Sequence, residues 1–292
     1  MKSGFYPALG TPLDERGQLV AASYQLHVEQ QVNAGAQALL AMGSMGQQAM
    51  IKNSEYAKTA RMAVDAAKGK CPVLIGVMDN SVQRVLDRID SLSGLGAAGV
   101  VATTPYYSKL NQAGIKQFFT KIADASPYPV YMYDLPSVTQ VKIEPATVVE
   151  LMEHGNIAGI KTGDLVTARL LQQQMAQSGA NFQVMFSGLD VFDVAYGYGI
   201  TRLLDGMFSC TATIAAEMND CLARGDQREA AHHLDQILLL RNTFVSVGVL
   251  PGFTHAMNLL GFAGTFHADY ERQLNGEQQE SVKARMQQLR LI

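Results

Sequence analysis

The sequence has few cysteines, no long apolar run and little net charge. Its three cysteines, Cys71, Cys210 and Cys221, are odd in number and form no C-x-x-C pair. This pattern argues against a disulfide framework or a zinc site, and we expect reduced, buried thiols in a cytoplasmic protein. No apolar run approaches the roughly 20 residues that cross a bilayer. The N-terminal MKSGFYPALG also lacks the apolar core of a signal peptide.

Neither sign of charge dominates the chain. Its 23 lysines and arginines are scattered and stand against 26 acidic residues, which gives a net charge of -3. Nucleic-acid binding requires a clustered basic surface, so we expect neither nucleic acid nor membrane as a partner. Because 48% of the 292 residues are hydrophobic, the chain has ample material for the core of one large soluble domain.

Short apolar runs alternate with segments of helical period along most of the chain. The runs are continuous rather than alternating, which is typical of parallel strands that are covered on both faces. They predict strands at Phe5–Leu9, Ala36–Met42, Val73–Val77, Gly99–Thr104, Val130–Leu135, Ile157–Lys161, Gln183–Ser187 and Leu203–Ser209.

Eight such strand-and-helix units predict the α/β class and a closed (β/α)8 TIM barrel. A doubly wound open sheet is the alternative, but it would require a G-x-G-x-x-G turn after the first strand, where GTPLDERG stands instead. Past about residue 212 only helical patterns remain. We therefore divide the chain into a barrel over residues 1–225 and a C-terminal helical extension, packed on the barrel, over residues 226–292.

A lysine ends the sixth predicted strand, in NIAGIKTGD. The C-terminal ends of barrel strands carry the chemistry of this fold, and burial of an amine favours its neutral, nucleophilic form. Lys161 can therefore form a Schiff base with a ketone, as class I aldolases do. Alternatively, Lys161 reaches solvent or pairs with Asp164. Lys142, in QVKIEP, follows a turn, and we expect it on the surface.

Polar residues also follow other strands. Ser44 lies in the glycine-flanked turn GSMGQ, which can cradle a carboxylate, and Tyr133 in YMYDLP can move protons. Tyr107 follows the fourth strand in TTPYYSK. Each tyrosine taken singly is better explained by core packing, but the set together favours a site. No histidine has the spacing of a metal ligand, so we expect no metal and no other cofactor.

The ordered motifs resemble the dihydrodipicolinate synthase / N-acetylneuraminate lyase superfamily. They are ALGTPLDERG, GSMGQ, PYYSK, YMYDLP, IAGIK, SGLD and GMFS, and they extend over nearly the whole chain. The resemblance implies a (β/α)8 barrel, a homotetramer built as a dimer of dimers, and pyruvate bound as a Schiff base. It also implies a metal-independent, class I aldolase or lyase.

The resemblance assigns catalytic roles to four residues. Lys161 resembles the Schiff-base lysine, and Tyr133 resembles the tyrosine that relays protons above the imine. Ser44 resembles the first hydroxyl residue of the family's G-[TS]-T-G-E turn, which joins the relay and holds the pyruvate carboxylate. Tyr107 resembles the aromatic residue that reaches across the dimer interface into the neighbouring site.

Further positions resemble substrate-binding residues. Phe208 and Ser209, in GMFS, resemble residues that line the pyruvate end of the site. Gly188 and Asp190, in SGLD, resemble positions that contact the polyhydroxyl substrate of the sialic acid lyases. Met45 replaces the second threonine of the carboxylate-binding turn, where its backbone amide can still bind the carboxylate.

Other departures bear on the substrate. Val138 stands where the dihydrodipicolinate synthases have the arginine that receives the second substrate's carboxylate, which argues against that activity. Gly163 stands where the sialic acid lyases have a threonine, and Gln47 replaces a glutamate. Asp134 replaces a frequent asparagine, and either contacts a hydroxyl or caps the following turn.

Two functional hypotheses follow. The first is a lyase that forms a Schiff base with pyruvate or another 2-oxo acid, and cleaves, condenses or dehydrates a 2-keto-3-deoxy sugar acid or similar compound. The second is a non-catalytic or regulatory barrel that binds a 2-oxo acid, which Met45 and Val138 favour.

Overall fold

The computed structural model describes residues 1–292 and contains one eight-stranded parallel sheet. Its strands are short and almost wholly buried, as the continuous apolar runs predict. They are β1 (Gly4–Pro7), β2 (Leu39–Ala41), β3 (Val73–Gly76), β4 (Gly99–Thr103), β5 (Val130–Asp134), β6 (Ile157–Thr162), β7 (Gln183–Phe186) and β8 (Arg202–Asp205).

The strands follow chain order around a ring. Each strand from β2 to β7 pairs with the next, β8 pairs with β1, and a parallel bridge between Ala8 and Leu40 joins the remaining edges. Every pairing is parallel, which requires a crossover connection between successive strands. The prediction of a (β/α)8 TIM barrel is confirmed, and the open-sheet alternative is wrong.

Helices provide the crossovers and also the C-terminal part of the chain. Side-chain caps begin several of them; Asn111, for example, accepts a hydrogen bond from the Gly114 amide at 2.8 Å. The helices are α1 (Ala21–Asn33), α2 (Asn53–Ala67), α3 (Val82–Asp90), α4 (Gln112–Ala125), α5 (Pro136–Thr139), α6 (Pro145–Met152), α7 (Leu165–Ser178), α8 (Phe192–Gly197), α9 (Ala212–Arg224), α10 (Gln227–Val247), α11 (Val249–Leu259) and α12 (Gly276–Gln288).

Seven of the eight strands end earlier than the apolar runs predict, most of all β8, whereas β6 ends one residue later, at Thr162. The expected strand Leu203–Ser209 stops at Asp205, because Asp205 accepts a hydrogen bond from the Met207 amide and the chain turns into a 3-10 helix over Met207–Ser209. Hydrophobicity alone does not distinguish a buried strand from a buried turn, so the run predicted too long a strand.

Apolar side chains form two separate clusters. The outer cluster, between the strands and the helices, contains 68 buried residues. The inner cluster lies inside the ring of strands and contains ten: Tyr6, Ala8, Ala38, Leu40, Leu74, Val101, Tyr131, Tyr133, Met185 and Leu204. Three of its members, Ala8, Leu40 and Tyr133, also line the cavity of the candidate site.

Helices α10, α11 and α12 pack on one another, and α10 also packs on α8 and α9. The boundary between residues 225 and 226 coincides with the turn between α9 and α10, and the division into barrel and extension stays a prediction. None of the helices combines the length and apolar character that are needed to span a membrane.

Candidate active site

A cavity of about 530 Å³ opens at the C-terminal end of the barrel. Its residues come from β2, from the ends of β1, β5, β6, β7 and β8, and from the segments that follow β2, β5 and β6. Its lining is mainly polar and charged: Ala8, Leu40, Ser44, Met45, Tyr133, Asp134, Leu135, Pro136, Ser137, Lys142, Lys161, Gly163, Asp164, Ser187, Asp205 and Gly206.

Lys161 lies at the base of this cavity and is only 6% exposed. Its register partner on β5 is Tyr133, and its ammonium nitrogen Nζ lies 3.8 Å from the centre of the Tyr133 ring. The Ser44 hydroxyl donates a long hydrogen bond of 3.4 Å to the Tyr133 phenol. Three residues that the sequence indicates therefore lie close together: the Lys161 amine over the Tyr133 ring, and the Ser44 hydroxyl at the Tyr133 phenol.

The loop that carries Ser44 has an unusual backbone. Met42 and Gln47 both adopt the left-handed conformation, with φ of 54° and 52°. A Cβ atom at Gly46 would lie 2.8 Å from the Leu9 carbonyl oxygen, so only glycine fits between them. Strained backbone of this kind tends to occur at functional sites, because the surrounding structure must hold it in place.

Met45 lines the cavity beside Ser44. Its side chain lies over Gly206, where a Cβ atom would stand 2.6 Å from the Met45 methyl carbon Cε. The methionine thus fills space between the second and eighth strands with apolar atoms and offers no side-chain donor to a carboxylate.

Lys142 forms part of the cavity wall, where its side chain is 28% exposed, so it lies only partly at the surface. Its ammonium group pairs with Asp164 and lies 3.6 Å from the Asp134 carboxylate. Burial lowers the pKa of Lys142, but these two carboxylates outweigh it and raise the pKa above its ordinary value. Asp164 pairs with Lys142 rather than with Lys161, so the alternative proposed for Lys161 is wrong.

Asp134 ties the loop after β5 to β6. One carboxylate oxygen accepts the Ile143 amide at 3.0 Å, and the other accepts the Thr162 hydroxyl at 3.1 Å. Neither bond caps the turn that directly follows β5, so that role is wrong; contact with a substrate hydroxyl stays a prediction. By holding the loop after β5, Asp134 brings Lys142 to the cavity.

Asp205 ends β8 and also lines the cavity. Burial raises the pKa of its carboxyl group above the ordinary value, against the opposing effects of the Met207 amide and the positive charge of Lys161. No motif in the sequence singles out this residue. A carboxylate inside a predicted apolar strand was the available signal, because aspartate is disfavoured in strands.

Phe208 and Ser209 lie outside the cavity. The Phe208 ring is fully buried in the outer cluster, with its centre 5.7 Å from those of Phe5 and Phe192. The Ser209 hydroxyl donates to the Ala8 carbonyl at 2.8 Å. Both residues are displaced because the chain turns after Asp205, so Asp205 and Gly206 line this part of the cavity in their place.

Gly188 and Asp190 are also outside the cavity, which Ser187 lines instead. The Asp190 carboxylate forms two hydrogen bonds with Arg241 of α10, at 2.5 and 3.1 Å. This pairing lowers the pKa of Asp190. The partner is 51 residues away in the chain, so no local pattern indicates it.

Tyr107 and Val138 are exposed, at 90% and 51%, and neither lines the cavity. The Tyr107 amide donates to the Asn80 side chain at 2.8 Å, which fixes the backbone while the ring projects outward. No group of three or more histidine, cysteine, aspartate or glutamate side chains is arranged to hold a metal ion.

Comparison with known proteins gives the same family along almost the whole chain. A model of the dihydrodipicolinate synthetase family matches residues 1–289. Relatives named 4-hydroxy-tetrahydrodipicolinate synthase include one from Trichlorobacter lovleyi, 32% identical over 271 residues that cover 89% of each chain. Another, from Acidiphilium cryptum, is 29% identical over 272 residues, which cover 91% of each chain.

Solved structures share the fold. Dihydrodipicolinate synthase from Thermotoga maritima superimposes with a TM-score of 0.92 at 22% identity, and covers 100% of both chains. A prophage protein of the dihydrodipicolinic acid synthase family from E. coli K12, solved in complex with pyruvate, gives a TM-score of 0.91 at 22% identity over 100% of both chains. The barrel, the motif order and the family model agree, and the chain belongs to the dihydrodipicolinate synthetase family.

Proposed function

We propose that this protein is a class I lyase that binds pyruvate or a related 2-oxo acid as a Schiff base on Lys161. The observation that carries the proposal is the buried Lys161 amine, 3.8 Å from the Tyr133 ring centre, at the base of a cavity of about 530 Å³. The E. coli K12 protein that shares this fold was solved with pyruvate, which supports the choice of ligand.

Each group has a step in the proposed reaction. The neutral amine of Lys161 attacks the ketone carbon, and loss of water gives an iminium that withdraws electrons from the adjacent carbon. Tyr133 moves the protons that carbinolamine formation and dehydration require, and Ser44 is hydrogen-bonded to its phenol. The backbone amides of the Ser44 turn hold the carboxylate of the 2-oxo acid.

The charges on the outer wall of the cavity affect which second substrate can bind. Lys142 is the cation there, and Asp164 and Asp134 already neutralise it. Val138, which replaces the carboxylate-binding arginine, is outside the cavity lining. A neutral, hydroxylated aldehyde suits such a wall better than a second carboxylate does, because a carboxylate would lack a free cation.

We therefore propose cleavage, condensation or dehydration of a 2-keto-3-deoxy sugar acid or similar compound. The names of the curated relatives favour 4-hydroxy-tetrahydrodipicolinate synthase activity instead. Those relatives are 32% identical, and a single cation at the cavity wall changes which aldehyde binds.

We also propose a homotetramer in which Tyr107 of one subunit reaches the neighbouring site. Tyr107 is 90% exposed in the single chain, which is unusual for a tyrosine without a covering partner. Light scattering on the wild type and on Tyr107→Ala would test the assembly.

A non-catalytic binder of 2-oxo acids is the second candidate. Met45 favours it, because its apolar side chain fills the position beside Ser44 where the family has a second hydroxyl donor. Under this hypothesis, the protein forms the imine with pyruvate but converts no second substrate.

Reduction with borohydride in the presence of pyruvate tests the Schiff base. We expect a stable adduct, located by mass spectrometry on the peptide that contains Lys161. A matched control is Lys116→Arg, which changes an exposed lysine of α4 and should leave the adduct unchanged. Absence of any adduct at Lys161 would contradict the proposed function and its binding alternative together.

A substrate panel separates the enzyme from the binder. Pyruvate should be incubated with neutral hydroxyaldehydes and with carboxylate-bearing aldehydes, and sugar acids should be tested for pyruvate release and for loss of substrate. We expect turnover with the neutral class. Turnover only with the carboxylate-bearing class would support the activity in the relatives' names, and adduct formation without any turnover would support the binder.

A further inference from the structure

Ser187 is a hydroxyl residue of the cavity that the proposed chemistry does not use. It directly follows β7 and lines the same cavity as Lys161. Side chains alternate along β7: Met185 belongs to the inner cluster, whereas Val184 and Phe186 belong to the outer cluster. Because side chains two residues apart on a strand lie on the same face, Ser187 faces the interior of the ring, as Met185 does.

The pairing of β6 with β7 places Ser187 beside an open position above Lys161. Lys161 is the register partner of Met185, and the Ser187 amide donates to the Thr162 carbonyl at 2.9 Å. Ser187 therefore lies two residues, or roughly 7 Å, further toward the C-terminal end of the barrel than Lys161. A Cβ atom at Gly163 would lie 3.7 Å from the Ser187 hydroxyl oxygen Oγ. Because Gly163 has no side chain, the space beside this hydroxyl is open.

The Ser187 hydroxyl is free, although the backbone that carries it is fixed. Its oxygen Oγ forms no hydrogen bond with the protein, and the residue is only partly buried. A Cβ atom at Gly188 would lie 2.8 Å from the Gly163 carbonyl oxygen, so only glycine fits there and the ends of β6 and β7 stay close. The hydroxyls of Ser44 and Tyr133, in contrast, are bonded to each other. The Ser187 hydroxyl is thus available to a ligand, both as a donor and as an acceptor.

The order of strands indicates which part of a substrate meets Ser187. The turn that carries Ser44 follows β2, which is four strands from β6 in the ring of eight, so this turn and Lys161 come from opposite sides of the barrel. In the proposed iminium, the carboxylate lies at the Ser44 turn, and the rest of the carbon chain extends away from it. Ser187 is on β7, next to the lysine strand, and therefore borders the path of that chain.

We propose that Ser187 determines the preference for hydroxylated aldehydes, by forming a hydrogen bond with a hydroxyl group on the aldehyde portion of the substrate. This proposal rests on the proposed function, since the aldehyde portion is held at Ser187 only when it reacts with a 2-oxo acid on Lys161. Serine has no charge, so it favours a hydroxyl over a methylene group without favouring an anion. An aldehyde without the hydroxyl would leave the serine oxygen without a partner.

Two aldehydes of the same chain length test this role. The full-length protein is incubated with pyruvate and either glyceraldehyde or propionaldehyde, which lacks the hydroxyl groups, and consumption of pyruvate is followed. We expect the wild type to prefer glyceraldehyde. Ser187→Ala should lower kcat/KM for glyceraldehyde by about 2- to 12-fold, the factor that corresponds to one neutral hydrogen bond. The loss should come mainly from a higher KM, and kcat/KM for propionaldehyde should be unchanged.

Ser178→Ala is the matched control. Ser178 is in the last turn of α7, outside the cavity, where its hydroxyl donates to the Gln174 carbonyl at 2.9 Å. This variant should keep the wild-type preference between the two aldehydes. Ser187→Ala should melt like the wild type, because the hydroxyl that it removes has no partner in the protein. Borohydride trapping of pyruvate at Lys161 should also be unchanged, because pyruvate has no aldehyde portion.

The outcomes separate the two proposals. An unchanged preference in Ser187→Ala, an equal loss with both aldehydes, or a lower melting temperature would overturn the role of Ser187, while the Schiff base would stand. Trapping without turnover of either aldehyde in the wild type, or loss of trapping in Ser187→Ala, would overturn that role as well. Absence of trapping in the wild type would overturn the proposed function itself.

Discussion

The barrel contains two layers of side chains that differ in composition and in what they enclose. The outer cluster packs 68 residues, most of them aliphatic or phenylalanine, between strands and helices. The inner cluster has ten residues, three of them tyrosines, and lies beneath the cavity that contains Lys161. The outer layer supplies most of the apolar burial that stabilises the fold, and the inner layer supplies a floor for polar groups.

This division teaches that stability and chemistry can be changed separately. A substitution at the inner layer's upper edge should change turnover while the fold is preserved. A substitution in the outer layer should change the free energy of unfolding while the site retains its chemistry. Three experiments test the separation.

The largest effect is expected for Lys161→Arg. Arginine stays protonated and cannot act as a nucleophile, so turnover and borohydride trapping should both be abolished. Thermal unfolding followed by circular dichroism should show a folded protein. Turnover that persists in this variant would rule out the Schiff-base role of Lys161.

A smaller loss is expected for Tyr133→Phe. The variant keeps the ring beside the Lys161 amine but loses the phenol that accepts from Ser44, and turnover should fall by about 10²- to 10⁴-fold. Tyr131→Phe is the control, since Tyr131 is in the same inner cluster but does not line the cavity. If both variants lose the same activity, the effect comes from packing and not from proton transfer.

The smallest expected effect is a loss of stability at low pH that comes from a buried histidine of the outer layer. His27 is fully buried against Phe262, with no hydrogen-bond partner at either ring nitrogen, and burial lowers its pKa from 6.5 to about 3. Below pH 6.5 the unfolded chain binds a proton there that the folded chain does not. The free energy of unfolding therefore falls as pH decreases, by about 1.4 kcal/mol per pH unit down to pH 3.

Replacement of His27 by leucine should remove its contribution to the pH dependence of the free energy of unfolding. Between pH 6.5 and 4.5, denaturant unfolding of the wild type should lose about 2 to 3 kcal/mol more than that of His27→Leu. His232→Leu changes an exposed histidine and should follow the wild-type pH dependence. Equal losses in the wild type and in His27→Leu would mean that His27 is protonated in the folded state.

The sequence was sufficient for features that depend on local pattern. Continuous apolar runs predicted all eight strands, and their order predicted the ring, because parallel neighbours require the alternating helices that the periodicity shows. Lys161, Tyr133 and Ser44 were selected because each directly follows or ends a strand, and the ends of barrel strands meet at one place.

Other residues depend on distant contacts, and the sequence did not reveal them. Lys142 reaches the cavity because Asp134 fixes the segment around Ile143, and Asp190 is drawn to Arg241 from the C-terminal helices. Phe208 and Ser209 lie outside the cavity because β8 ends at Asp205 and the chain turns there into a 3-10 helix. In each instance a single polar contact between distant parts of the chain, or a turn, overrode the local pattern.

Asp164 both caps helix α7 and pairs with a lysine of the cavity wall, so it joins the candidate site to a helix of the barrel. Its carboxylate accepts the Val166 and Thr167 amides at the beginning of α7, and it also pairs with Lys142 at the cavity wall. Burial raises the pKa of Asp164, but Lys142 and the Thr167 amide outweigh it and keep the group ionised. Replacement of Lys142 by a neutral residue would remove the cation beside Asp164 and leave its carboxylate with only its hydrogen bonds to the start of α7. Substitutions at 142 should therefore be better tolerated when they are paired with substitutions at 164.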